Sequence, residues 1–258
     1  MRLHPSRQHG FTLIELLVVV GILALIVGLA IPMLVNALRN SDRARAKADL
    51  NAIALALEAY KQDFADYPRP IYATPVDDRR GARVLARALL GPGSAAVDGA
   101  DGLGFRTRGG AARSQVYGPY LRPENFKTRY AAADGSDAEL LDRTGAPIAY
   151  FVAASPKPNI RTAPPTGQPA PFVDANNGQV RTLYNFTDNA GLFSPTDLAR
   201  FRFAMGDRNN NGYIDGPETP AWEGEFLLWF RGDDTEWGPA AATEAALRNM
   251  DDVTSFSN

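Results

Sequence analysis

The stretch "DRNNNGYIDGPE", Asp207 to Glu218, sets oxygen-bearing residues at the spacing a hard cation needs. Asp207, Asn209 and Asn211 occupy the first, third and fifth places of a twelve-residue loop, and Gly212 permits the sharp turn at the sixth. Tyr213 offers its carbonyl at the seventh place, Asp215 stands at the ninth, and Glu218 supplies the closing bidentate carboxylate. Ile214 is the apolar residue such loops bury beneath the ion. The pattern predicts calcium. Pro217, Pro220 and Gly224 follow closely and argue against a helix leaving the loop. A plain Asn/Gly-rich turn is the competing reading, since turns favour the same residue types.

Little other chemistry is open to the chain. It contains no cysteine, and its two histidines are His4 and His9. Beyond Gly10, therefore, no Ser-His-Asp or Cys-His nucleophile system and no zinc site built on nitrogen or sulfur can form. An enzyme would have to use carboxylates, Lys, Ser or Tyr, and no constellation of these commits to a reaction. The expectation is a protein that is not an enzyme. A second acidic group, Asp233, Asp234 and Glu236 with Asp251 and Asp252, is read either as a further metal cluster or as a solvated acidic rim. Arg79, Arg80, Arg83 and Arg87 form a basic helix face, with Arg106, Arg108 and Arg113 further on. The formal net charge is −2, which argues against nucleic acid, so the face is expected to be solvated and paired with local Asp residues.

One carboxylate is out of place. Glu15 heads a run from Leu16 to Leu38 that holds no charge. Those residues make roughly 35 Å of helix, enough to cross a hydrocarbon core of about 30 Å. A carboxylate there costs about 2.5–3.5 kcal/mol, so it should have a partner. The run is too long for a cleaved secretory signal and continues directly into polar helix. A plain anchor explains the apolar run and the basic flank of Arg2 and Arg7, which stays cytoplasmic. It does not explain Glu15. Pro32 lacks an N–H and crowds the carbonyl of Gly28, so the helix is expected to kink or loosen between them.

The segment "G-FTLIELLVVVGILALIVGLAIP" resembles the N-terminus of type IV pilins and of the pseudopilins of type II secretion. The resemblance covers about the first 55 residues. It implies a leader, residues 1–10, cut by a prepilin peptidase between Gly10 and Phe11, and N-methylation of the new Phe11 terminus. The exposed amine is costly near an apolar layer, and Glu15, four residues on, can neutralise it in its own helix or in a neighbouring subunit. The family assigns Glu15 this register role in filament assembly. Loss of the leader removes Arg2 and Arg7, leaving 25 basic against 29 acidic side chains. The second acidic cluster, lying after a late strand, resembles the C-terminal calcium loop of major pseudopilins.

The resemblance implies a structural filament subunit, a major-pseudopilin-like component of a type II secretion system. Its partners would be copies of itself or other pseudopilins, the prepilin peptidase and an inner-membrane assembly platform. It would cross the inner membrane once, with its N-terminus cytoplasmic and its globular part periplasmic or extracellular. The rivals are a type IV pilin for adhesion, motility or DNA uptake and a membrane-anchored enzyme.

The elements follow from periodicity. The helix of residues 11–64 is expected to span the membrane to about residue 38 and then carry an apolar stripe of Leu50, Ile53, Ala54, Leu57, Tyr60 and Phe64. Pro68 predicts its end near Asp66–Tyr67. Residues 65–258 form a globular part of short elements. Helices are expected over Arg79–Leu90, with Asp77 and Asp78 before it and Gly91 as stop, from Pro195 to about Ala204, and over Thr243–Met250. Strands are expected over Gln115–Leu121, Pro147–Ala153, Gln179–Asn185 and Glu225–Arg231. The glycine-rich Val97–Ala112 and the proline-rich Pro156–Pro171 read as loops. The fold class is α+β, an antiparallel sheet packed on the helical spine.

Overall fold

The computed structural model describes residues 13–70, 80–91, 105–106, 116–129, 137–153, 173–174, 181–182, 184, 189, 191–193, 195–210, 213–214, 217–219, 221–222, 224–232 and 236–255. The chain divides into two compact units, Met1–Arg45 and Ala46–Asn258. Helix α1, Leu13–Phe64, contributes to both. It runs unbroken through Pro32 and ends two residues before the expected stop, with Ala65 in the left-handed region at φ 62°. The Ala65 N–H still reaches the carbonyl of Lys61. This left-handed residue closes the last turn before Pro68 can interfere.

In the globular unit, α1 buries Leu50, Ile53, Ala56 and Leu57, one face of the helix, while Ala54 and Tyr60 lie at its margin. Helix α2, Gly81–Leu85, continues as a π-helical turn, Ala86–Leu90, and stops at Gly91 with φ 57°, as its glycine predicts. Asp77, Asp78 and Arg79 lie outside the described residues. The remaining elements are β1 (Phe105–Arg106), β2 (Val116–Tyr117), β3 (Lys127–Arg129), β4 (Glu139–Leu141), β5 (Ala149–Val152), β6 (Val173–Asp174), β7 (Arg181–Thr182), α3 (Pro195–Met205), β8 (Tyr213–Ile214), β9 (Phe226–Phe230), α4 (Glu244–Arg248) and β10 (Val253–Thr254).

The central sheet has the order β10-β9-β5, all antiparallel, with Tyr150 opposite Leu228 and Thr254 opposite Trp229. Alternation along its strands divides the core. Tyr150, Val152, Leu228 and Phe230 face the stripe of α1 together with Leu85, Leu89 and Leu90. Ala149, Phe151, Leu227 and Trp229 face the other way, onto Phe193, Phe201, Met205 and Trp237. Phe201 of α3 stacks on Trp229 with centroids 5.1 Å apart. The sheet thus lies between α1 and α3, which explains why "AYFV" and "FLLWF" are continuously apolar rather than alternating.

The antiparallel sheet on the spine is as expected, and a separate small sheet adds one parallel pairing, β6 with β8. Three expectations need correction. The glycine-rich stretch contains a strand, Phe105–Arg106, paired with Val116–Tyr117. The strands expected over Gln115–Leu121 and Gln179–Asn185 shrink to two described residues each, and β3, β4 and β10 fall in segments where no strand is expected. Each pairs with a neighbouring strand, β1 with β2, β3 with β4, β6 with β7 and β9 with β10, and it is this pairing rather than a run of β-forming residues that defines them. The basic helix face is not solvated. Arg80 and Arg83 converge at 3.2 and 3.3 Å on Oε1 of Glu139, a buried carboxylate, and Arg129 donates to its Oε2 at 2.5 Å. Glu139 stands 59 residues from Arg80 in the chain, and the local acids Asp77 and Asp78 lie outside the described residues. Pro156–Pro171 lies outside the described residues, as do the arginine side chains at 106, 108 and 113.

Candidate assembly segment and metal loop

Two separate features carry the residues that the sequence singles out. The first is the N-terminal part of α1. Its large apolar side chains from Leu13 to Leu38 are exposed on all sides, the least exposed, Val35, at 41%. A helix apolar all round needs a nonpolar surrounding. α1 is long and apolar enough to cross a membrane, and none of its most apolar window is buried within the chain. Glu15 lies in the first turn of α1, where the helix dipole favours a negative charge, and is exposed. Gly10 and Phe11 lie outside the described residues. A Cβ built at Gly28 meets nothing within 4 Å, so the turn that Pro32 leaves without one hydrogen bond has room to adjust.

The second feature is the loop after α3. Proline at the first position starts this helix, as expected, and its apolar face is anchored in the core through Phe201, Ala204 and Met205. The helix ends at Gly206, whose φ of 114° an L side chain rarely adopts. A Cβ there would also collide with the carbonyl oxygen of Thr219. Outgoing and returning chain therefore cross at Gly206, and the Ala221 N–H donates to the Met205 carbonyl at 2.8 Å. Asp207 follows with no exposed surface, its N–H bonded to the carbonyl of Arg202. Glu218 is also buried, and its Oε1 accepts from the backbone N–H groups of Arg208 and Asn209 at 2.9 and 3.0 Å. The first and twelfth positions of the loop are thus brought to the same end of it. A cleft there is lined by Gly206, Arg208, Asn209, Pro217, Glu218 and Thr219.

Tyr213 and Ile214, the seventh and eighth places, form β8. No helix leaves the loop at Pro217 and Glu218, in keeping with the prolines. Asn211 and Asp215 lie outside the described residues. Among the described residues no group of three or more acidic or histidine side chains is gathered, Asp207 and Glu218 being the carboxylates of the loop that are described. The donor set is carboxylate, amide and carbonyl oxygen throughout, which fits calcium and no soft metal.

The C-terminal acidic group is divided. Asp233 and Asp234 lie outside the described residues, and Glu236 is exposed and paired with Arg200. Asp252 is no rim residue. It is buried, its Oδ2 accepting from the Trp229 indole N–H at 2.6 Å and the Gly238 N–H at 2.7 Å, its Oδ1 from the Gly232 N–H at 2.7 Å. Burial pushes its carboxyl up to about 7, against those three donors and with Asp251 acting in the same direction as burial. Both oxygens hold the chain around Gly232 and Gly238, a structural role that spacing does not reveal.

Sequence reasoning also misses Arg208. Its backbone N–H bonds Glu218, its Nε donates to Glu244 Oε1 at 3.0 Å, and its NH1 donates to the Phe203 carbonyl. The guanidinium lies 4.5 Å from the centroid of the Phe203 ring. No local pattern signals this, because Glu244 is 36 residues away.

Comparison with known proteins bears on the N-terminal segment. Residues 5–31 match the prokaryotic N-terminal methylation motif. The chain is 42% identical over 63 residues to type II secretion system core protein G of Klebsiella pneumoniae, covering 24% of this chain and 45% of that protein. It is 44% identical over 62 residues to the protein of the same name from Pseudomonas aeruginosa, 24% of this chain and 44% of that one. It is 35% identical over 91 residues to the type IV major pilin protein PilA of Myxococcus xanthus, 34% of this chain and 41% of the pilin. The chain spans less than half the length of each of these relatives. No solved structure matches.

Proposed function

From an N-terminal segment that carries the prepilin-type methylation motif and is homologous to type II secretion protein G and a type IV pilin, we propose that this protein is a filament subunit of a type II secretion machine, a pseudopilin. The observation that carries the reading is the motif over residues 5–31, joined to a helix exposed and apolar on every side with one acid in its first turn. Subunits reside in the inner membrane through the first half of α1, N-terminus inward and globular unit outside. A prepilin peptidase cuts before Phe11, and an assembly platform draws subunits into a filament with copies of themselves or other pseudopilins. Glu15 acts by charge. Left unpaired in a low-dielectric layer it is costly, so a neighbour's terminal amine in register is strongly preferred over any misregistered one. The protein is not an enzyme. The filament moves cargo by growth, and what the chain supplies is shape, register and stability.

We further propose that Asp207, Asn209, Asn211, Tyr213, Asp215 and Glu218 hold calcium, which supplies an oxygen-ligated cross-link between the two ends of the loop. The closure at Gly206 and the buried pair of Asp207 and Glu218 support this. A type IV pilin is the second reading, favoured by the longer matched stretch with the Myxococcus pilin.

The test is Glu15→Ala in a strain lacking the native gene. Membrane insertion should be unimpaired, since a costly carboxylate has gone, while secretion and filament formation fail. Normal filaments from this variant would remove the register role. Loss of surface pili or twitching with secretion intact would decide for the second reading.

A further inference from the structure

Arg208 touches three elements at once, and they belong to different parts of the chain. Its backbone N–H holds the closing carboxylate of the loop, Glu218. Its guanidinium donates to the Phe203 carbonyl in the last turns of α3 and pairs with Glu244 in the first turn of α4. Helix α4 is short, capped by the Thr243 hydroxyl on the Ala246 N–H. Its apolar residue Leu247, and Met250 just beyond it, pack only partly buried against the cluster around Phe201 and Trp229. Past it the chain enters Asp252 and β10, the edge strand of the central sheet. The end of this C-terminal segment is held by the Asp252 hydrogen bonds and the pairing of β10 with β9, whereas α4 before it rests on marginal apolar contacts and the Arg208–Glu244 pair.

We propose that Arg208 is a positioning residue that couples filling of the loop by calcium to the seating of residues 243–255 on the globular unit. The proposal rests on the calcium reading above and adds to it a partner for the site within the same chain. Arg208 stands between the first and third places of the loop, Asp207 and Asn209. A cation held by those residues and by Glu218 fixes the backbone on both sides of Arg208. A fixed backbone leaves the guanidinium aimed at Glu244 with less freedom to lose, so the ion pair forms at lower entropic cost and α4 is held more tightly. The pair is partly exposed, Arg208 at 38% and Glu244 at 56%, so alone it is weak. Its effect is expected at the low end of coupling between sites, about fivefold. Coupling is reciprocal, so a loosened C-terminal segment also weakens calcium binding by at most that factor.

The experiment is amide hydrogen exchange on the full-length protein in detergent, with calcium and with chelator, alongside calcium titration by calorimetry. Wild type should bind calcium and show about fivefold slower exchange over residues 244–255 when it is present. Glu244→Gln lies outside the loop and keeps side-chain volume. It should still bind calcium, within about fivefold of wild type, and still show slowed exchange over residues 207–218, but lose the calcium response of residues 244–255. Arg208→Ala should do the same. A wild type that binds calcium without any change over residues 244–255 overturns the coupling, as does a Glu244→Gln protein with the full response. Absence of calcium binding in wild type overturns the calcium reading itself and the coupling with it.

Discussion

Replacing Glu139 by alanine should destabilise the globular unit by about 3 kcal/mol, the low end of the range for breaking a buried ion pair. The magnitude follows from who is left behind. Glu139 is 4% exposed and pairs with three guanidinium groups. Two of them, on Arg80 and Arg83, are 23% and 17% exposed, too sheltered for water to replace the carboxylate fully. Arg129 is 56% exposed and should lose less than about 1 kcal/mol on its own account. Arg80→Ala should therefore cost clearly more than Arg129→Ala. The assay is urea unfolding of a fragment beginning at Asn40. There, about 3 kcal/mol corresponds to a drop of about 6–12 °C in a parallel thermal melt. The pH dependence has a definite sign. Burial raises the Glu139 carboxyl, but hydrogen bonds and charge from Arg129 and Arg80 outweigh it and hold the group below the usual range. Its stabilisation is thus complete above the unfolded value of about 4.3 and is lost as pH falls through the folded one. The difference between wild type and Glu139→Gln should be full at pH 7 and shrink below about pH 4. Refutation would be a Glu139→Ala protein within about 0.5 kcal/mol of wild type at pH 7, the ordinary spread of a surface substitution.

Asn189→Ala should cost about 2–4 kcal/mol, because the fully buried amide accepts from the Gly81 N–H at 3.0 Å and donates to the Tyr150 carbonyl at 2.8 Å, and both would be left unsatisfied; urea unfolding measures it, and a neutral result would mean water enters the gap. Calcium should raise the melting temperature of wild type but not of Asp207→Ala, with ligand at 100 times its dissociation constant adding about 2.7 kcal/mol. Equal melting of wild type in calcium and chelator would return the loop to an Asn/Gly-rich turn.

Elements that carry strong local signals are legible in the amino-acid sequence. The face of α1 follows from Leu50, Ile53 and Leu57, α3 from proline at its first position, and α4 from the threonine that caps it. The nearness of Glu218 to the start of its loop is in keeping with the twelve-residue spacing, whereas the crossing of Gly206 with Thr219 is not announced by it. What stays hidden is long-range. The two-residue strand β8 owes its existence to β6, far earlier in the chain. The convergence of Arg80, Arg83 and Arg129 on Glu139 joins α2, β3 and β4, and nothing near Glu139 in sequence announces it. Asp252 is legible as an acid but not as an acceptor for an indole and two glycine N–H groups. Charge runs are ambiguous in sequence because burial decides whether they are solvated or structural.

The central claim, that the chain is processed and assembled as a pilin-like subunit, is met most directly by mass spectrometry of the N-terminus of protein taken from its native membrane. Processing between Gly10 and Phe11, within the methylation motif, predicts a mature chain that starts at Phe11 and carries one methyl group on its amine. A chain that keeps Met1 while the cells assemble and secrete normally would contradict it.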